Sequence, residues 1–302
     1  MKSIALVTAR AALPLDEDMP PLLLALRDQD VQVDTPCWDD PDVDWSRYDV
    51  AAIRSTWDYA ERLDEFLEWT ERCAEQTHLV NPPPVLRWNT DKHYLVHLAH
   101  SGVPVVPTRF VEPGTNAELE LARFLDGGPG AVSVGECGAV DEFVVKPSVG
   151  AGSRDAARYR NAERTRACAH VARLLADGRS VMLQPYLGRV DQRGETAVIY
   201  IGGSYSHAIR KGPLLRLDEG LVQGLFAPEQ ITPREPDASE LEVADAAFRA
   251  CGPEEPLYAR IDLVHDDHGR PVVLELELTE PSLFFLHAPD AAGRYADALL
   301  AT

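Results

Sequence analysis

Short apolar runs and amphipathic stretches alternate through the first third of the chain. "SIALVTA" (3–9), "VQVDTPCW" (31–38) and "YDVAAIRS" (48–55) predict strands. "DMPPLLLALRDQD" (18–30) predicts a helix with prolines near its start. "RLDEFLEWTERCAEQT" (62–77) predicts a second, with apolar residues at three- and four-residue spacing. Strands alternating with helices predict an open parallel sheet of the α/β type. "VNPPPVLRWNT" (80–90) interrupts the pattern, because three consecutive prolines continue neither element. A first domain boundary is expected there, near residue 83.

Beyond it, "DKHYLVHLAHSG" and "NAELELARFL" predict helices, and "VPVVPTRFV" and "EFVVKP" predict strands. A glycine-rich connection, "DGGPGAVSVGECG", precedes the last of these. From residue 181 strands crowd together: "VMLQPYL", "ETAVIYIGG", "YSHAIRK", "LYARIDLVHD" and "PVVLELEL". Turn signals such as "GGS" and "DDHGR" between them predict antiparallel hairpins. The expected architecture is an α/β unit (1–83) leading into an α+β region, divided into 84–186 and 187–302.

The 302 residues carry 29 Lys and Arg against 49 Asp and Glu, a formal net charge of -20. Such a charge repels nucleic acid and anionic membranes, so neither is an expected partner. The five cysteines (Cys37, Cys73, Cys137, Cys168, Cys251) are odd in number, dispersed and without a CxxC pair. They fit a reducing cytosol better than a disulfide scaffold or zinc knuckle. No apolar run reaches membrane-helix length, and "MKSIALVTAR" is too short for a signal segment. A cytoplasmic protein is expected; a homo-oligomer is compatible with everything above.

The first chemical signal is "FVVKPSVGAGSRD" (143–155), where a strand delivers Lys146 to a loop holding Ser148, Gly150, Gly152 and Ser153. Successive backbone N–H groups in such a loop can cradle an anion, although an ordinary turn reads the same way. The second is "YARIDLVHDDHGRPVVLELELTEPS". As a hairpin it sets Asp262 on one strand, with Glu275 and Glu277 two apart on one face of its partner. Leu274, Leu276 and Leu278 are then expected to face the core. Three converging carboxylates are hard oxygen donors suited to Mg²⁺; the alternative is a solvated strand face. Arg260 beside Asp262 counts against that alternative. Arg210 and Lys211 end the strand in "SYSHAIRKGP", and Lys92 follows the proline break in "NTDKHYL"; each is by itself compatible with ordinary surface.

In this order the residues resemble the ATP-grasp superfamily over residues 80–285. The resemblance implies a preceding substrate-side domain and two subdomains that clasp a nucleotide. It implies that Lys92 and Lys146 bind ATP phosphates beneath the loop of Ser148, Gly150, Gly152 and Ser153. It implies that Gln184, Pro185, Tyr186 and Leu187 hold adenine, and that Glu195, with Asp191 as the substitute, binds the ribose. Asp262, Glu275 and Glu277 match the ligands of two Mg²⁺ ions; many members have Asn where Glu277 stands, so the local charge here is more negative. Arg210, Lys146 and Arg260 are the implied catalytic cations.

The implied reaction phosphorylates a carbonyl or carboxyl oxygen for attack by nitrogen, with release of ADP. At the carboxyl end of the third strand, "IRSTWDYAER" offers Arg54, Ser55, Thr56, Asp58 and Tyr59 to a small zwitterionic amino-acid-like substrate. Glu280 and Ser282 in "EPSLFF" form a second candidate wall. "RSTWDY", "NPPPVLRWNTDK" and "LELELTEPSLFF" together resemble the O-ureido-D-serine cyclo-ligase group, which implies intramolecular cyclisation, with a ureido carbonyl oxygen as the activated atom and the substrate's own amine as the attacking nitrogen. An intermolecular carboxylate–amine ligase and a catalytically silent nucleotide-binding module are the alternatives.

Overall fold

The structure, a computed structural model, describes residues 2–302 apart from 131, 136–137, 216, 218–229 and 253. Cys137 therefore lies outside the described residues; the other four cysteines are free thiols. The first sheet contains β1 (Ser3–Thr8), β2 (Gln32–Asp34), β3 (Val50–Ser55) and β4 (His78–Val80) in the order β2-β1-β3-β4. All its pairings are parallel, as the alternation predicts. Helix α1 (Met19–Arg27) starts with prolines in its first turn. Helix α2 (Leu63–Ala74) has Asp64 and Glu65 in its first turn and Arg72 in its last, matching the helix dipole at both ends.

The proline run departs from expectation. It begins helix α3 (Pro83–Asn89) with prolines in the first turn, where a missing N–H has no intrahelical partner to lose. Helix α4 (Tyr94–His100) follows. The second sheet is built from β5 (Thr108–Val111), β6 (Val132–Val134), β7 (Glu142–Pro147), β8 (Ala157–Arg160) and β9 (Val181–Pro185), in the order β6-β5-β9-β7-β8. Helices α5 (Ala117–Leu125) and α6 (Arg164–Ala176) pack against it. After the short α7 (Val190–Arg193), the third sheet is antiparallel. It orders β10 (Glu195–Ile201), β11 (Ser204–Lys211), β12 (Ile231–Pro233), β13 (Tyr258–His265) and β14 (Pro271–Glu277) as β12-β11-β10-β13-β14. Helix α8 (Ala238–Arg249), started by a reciprocal Asp237–Glu240 capping box, covers one face, and α9 (Ala291–Ala301) lies on the other.

The hydrophobic patterns above assign no element to α6, α8 or α9. Each has an amphipathic core face, but alanine supplies most of the buried positions of α8 and α9, and Ala167 and His170 stand among those of α6, which blurs the apolar period. Among the described residues no helix is long and apolar enough to cross a membrane.

Two buried asparagines, Asn81 at the end of the first unit and Asn89 at the end of α3, tie this part of the chain to the third sheet. Asn81, in the left-handed region at φ 55°, donates to the carbonyls of Tyr258 (3.0 Å) and Leu278 (2.6 Å) and accepts from the Leu257 amide (2.8 Å). Asn89 donates to the Leu276 carbonyl (2.8 Å) and accepts from the Leu278 amide (2.7 Å). These straps hold the end of β14, where the expected metal carboxylates lie. Asn89→Ala strands a buried carbonyl and a buried N–H, so it should destabilise the protein by about 3 kcal/mol. A urea midpoint equal to that of the parent would refute this strap.

Candidate active site

A cleft of about 420 Å³ opens between the second and third sheets, with the first unit closing one end. Its carboxylates come from the β13–β14 hairpin. The register pairs Asp262 with Glu275 and Arg260 with Glu277, and directly opposite residues share a face. The register shifts after Asp262, so that Leu263 pairs with Val273 and Leu274 is passed over. Val273, Leu276 and Leu278 enter the core, whereas Leu274 joins the cleft wall beside Glu275. The irregularity thus corrects the expected inward position of Leu274.

The cations reach these acids from distant segments. Lys92 Nζ lies 2.9 Å from Glu275 and donates to the Gly150 carbonyl at 2.9 Å. Lys211 Nζ bridges Glu195 (2.9 Å) and Asp262 (2.7 Å). Arg260 grips Asp262 through two 3.0 Å bonds and also contacts Glu277. Despite burial, Arg260 and Lys211 hold the Asp262 carboxyl below the usual carboxylate range, as Lys92 and Lys146 do for Glu275. Burial dominates at Glu277, with Glu275 and Asp262 adding repulsion, and raises it to about 7.

Lys146 also lines the cleft, and among the described residues it has no ion-pair partner. Burial pushes its ammonium below its ordinary pKa, with Glu275 opposing. A buried lysine so placed is suited to an anion, and the carboxylates offer only oxygen donors. The side chains present therefore fit a Mg²⁺–triphosphate group.

The structure brings Gly150, Gly152, Ser153, Gln184, Pro185, Tyr186, Leu187 and Glu195 to the same cleft, together with Tyr59, Glu280 and Ser282. It does not bring Arg210 there. Neighbours on a strand face opposite ways, and on β11 it is Lys211 that faces the cleft. Arg210 instead donates to the carbonyls of Arg193 (2.6 Å) and Gln192 (3.4 Å) at the end of α7. Asp191 is likewise withdrawn, paired with Arg158 (3.3 Å) and accepting from the Tyr186 hydroxyl (2.5 Å). Ser148 is buried behind the loop, its carbonyl accepting from the Lys92 amide at 3.0 Å.

The expected substrate loop is also redistributed. Arg54 is 1% exposed and pairs with Asp18 at 3.4 Å instead of lining the cleft. Ser55 bonds Thr8 (2.8 Å), Thr56 is buried, and Asp58 is held by Arg62 (2.7 Å) and Trp38 (2.9 Å). The wall here is made by Trp57, Tyr59 and Asp18. Asp18 accepts from three consecutive backbone amides, Leu283 (2.6 Å), Phe284 (3.1 Å) and Phe285 (2.7 Å). Phe284 stands at φ 55° within that loop. Sequence reasoning missed Asp18, because no motif marks it; strand alternation in "SYSHAIRK" could have separated Lys211 from Arg210.

His93 braces the Lys92 turn. Its Nδ1 lies 2.6 Å from Asp91, its Nε2 lies 3.0 Å from Glu112, and its ring stacks on Phe110 at 4.0 Å. The Asp91 hydrogen bond, opposed by burial and helped by Glu112, raises the imidazole above its ordinary 6.5. The resulting stabilisation is complete below the unfolded value and is lost as pH rises through the raised folded value. His93→Gln should therefore be less stable than the parent at pH 6, with the difference shrinking at higher pH in urea unfolding. A difference independent of pH would refute the imidazolium brace.

Comparison with known proteins places the chain in a family. Residues 4–81 match the family described as D-cycloserine synthetase DcsG, N-terminal domain. The cycloserine biosynthesis protein DcsG of Streptomyces lavendulae is 43% identical over 304 residues, covering 99% of this chain and 98% of that protein. The crystal structure of D-cycloserine synthetase DcsG superposes with a TM-score of 0.89, at 43% identity and 99% coverage of both chains. A D-alanine–D-alanine ligase from Bacillus anthracis shares the fold alone, with a TM-score of 0.65 at 15% identity over 99% of this chain and 94% of its own. The chain belongs to the DcsG family of ATP-grasp ligases.

Proposed function

We propose that this ATP-dependent ligase closes the ring of D-cycloserine from O-ureido-D-serine. The observation that carries the reading is likeness along essentially the whole of both chains to a protein described as D-cycloserine synthetase. The product's chemistry identifies the activated oxygen. Its ring carbonyl derives from the serine carboxyl and its ring nitrogen from the nitrogen on the side-chain oxygen. The carboxylate is therefore the phosphoryl acceptor and the oxygen-bound nitrogen the nucleophile, so the expected ureido carbonyl and attacking amine are both set aside.

In the proposed sequence the substrate carboxylate attacks the γ-phosphorus of ATP and ADP leaves. The ureido nitrogen bonded to oxygen then attacks the acyl phosphate carbon, and phosphate departs as that nitrogen loses its proton. Water cleaves the remaining carbamoyl bond, releasing carbon dioxide and ammonia. Overall, ATP, O-ureido-D-serine and water give D-cycloserine, ADP, phosphate, carbon dioxide and ammonia.

Lys92, Lys146 and Lys211 neutralise phosphate oxygens, since this transfer depends chiefly on positioning and charge. Asp262, Glu275 and Glu277 hold two Mg²⁺ ions, which supply Lewis-acid stabilisation of those oxygens when bound. Gln184 through Leu187 receive the adenine, and Glu195 receives the ribose. The loop over Gly150 and Gly152 shields the acyl phosphate from water.

Incubation with ATP, Mg²⁺ and O-ureido-D-serine as sole amino acid should release ADP and give a product with the mass of D-cycloserine. An obligatory second amine, or no ADP, would overturn this function. Within it, Lys211→Met should lower kcat/KM at least about 100-fold. Arg210→Gln should stay within about threefold of the parent. The reverse order of effects would return the catalytic role to Arg210.

A further inference from the structure

The acids of the cleft are not equally satisfied. Glu275 faces Lys92 at 2.9 Å, Glu195 faces Lys211 at 2.9 Å, Asp262 faces Lys211 and Arg260, and Glu277 touches Arg260. Glu280 lines the same cleft, is 8% exposed, and among the described residues has no cationic partner. Burial first, then repulsion from Glu277 and Glu275, pushes its carboxyl well above the usual range. A buried carboxylate in that state gains most from an arriving cation.

Its position is fixed by the backbone around it. The Glu280 carbonyl accepts from the Trp57 indole at 3.2 Å, the Thr279 carbonyl from the Tyr258 hydroxyl at 2.9 Å, and the Pro281 carbonyl from Arg54 at 3.5 Å. Three buried side chains from separate elements thus pin three consecutive residues. The other acids at this end of the cleft differ: Asp18 is occupied by three amides and Arg54, and Glu17 is exposed, where water screens its charge.

We propose that Glu280 receives the α-ammonium of the amino-acid substrate and selects for substrates that carry it. The proposal rests on the amino-acid reading given under Proposed function. The α-nitrogen is not the one that closes the ring. Paired with Glu280 it stays protonated, without a lone pair to attack the activated carboxyl of a second substrate. The same contact fixes the α-carbon that bears the reacting carboxylate, while the charge of the phosphates is met by Lys92, Lys146 and Lys211.

The test compares O-ureido-D-serine with its desamino analogue, 3-(ureidooxy)propanoate, in the parent enzyme and in Glu280→Gln. The parent should prefer the amino substrate in kcat/KM by about 50-fold or more, the scale of one buried charge pair. In Glu280→Gln the preference should fall below about fivefold, with the loss confined to the amino substrate, while the KM for ATP and the Mg²⁺ dependence stay within about twofold. Retained preference in the variant, or an altered Mg²⁺ dependence, would overturn the assignment. So would a parent enzyme indifferent to the amine, a result that needs no variant to fold. If the parent forms no ADP with O-ureido-D-serine, the reaction proposed above fails, and the ammonium contact is judged by melting temperature. D-serine should then stabilise the parent more than Glu280→Gln, and equal stabilisation would sink it.

Discussion

Mutual repulsion among the acids of one cleft is the constraint around which the fold is arranged. Hairpin register alone puts Asp262 against Glu275 and Glu277 against Arg260. Carboxylates held this close and partly out of water repel each other unless cations interleave with them. The chain supplies those cations from widely separated positions: Lys92 before α4, Lys146 at the end of β7, Lys211 at the end of β11. A net charge of -20 is therefore compatible with a triphosphate site, because local placement, not the total, sets the potential where phosphate oxygens lie.

That balance makes the first unit more than an appendage. Asp18, ahead of α1, organises the amides of residues 283–285, and the Ser282 carbonyl accepts from Arg260 at 3.2 Å. Arg260 in turn neutralises Asp262 and Glu277. A connected chain of hydrogen bonds thus runs from the first sheet's Arg54, through Asp18, to the carboxylates expected to bind metal. Asn81 and Asn89 restrain the same strand from its other side.

Much of this is legible in the sequence. Alternating strands and helices specified the parallel sheet, and the hairpin spacing put Asp262, Glu275 and Glu277 together. The resemblance in motif order brought out Lys92 and residues 184–187, all of which line the cleft. What remained hidden was hidden for physical reasons. Two adjacent cations, Arg210 and Lys211, look alike in sequence, and only the strand's facing fixes which one enters the cleft. Arg54 looked like a substrate clamp because it ends a strand, yet its partner, Asp18, is 36 residues away. A one-residue irregularity rotated Leu274 out of the core, and strict alternation does not anticipate such an event. The three prolines misled because their effect depends on where a helix begins.

The glycine-rich loop touches both ends of the cleft. Ala151 sits in the hydrophobic cluster of the first unit, among Trp57 and Tyr59, and Arg154 pairs with Glu61 beyond that aromatic turn. Lys92 holds the Gly150 carbonyl from the opposite side. The loop that would cover the phosphates therefore rests on the residues that wall the substrate end. Movement of Trp57 or Tyr59 on substrate entry would be felt directly at Ala151, and lifting the loop to admit nucleotide would disturb that wall. Coupling of this kind needs no long-range pathway, since the two surfaces are in contact.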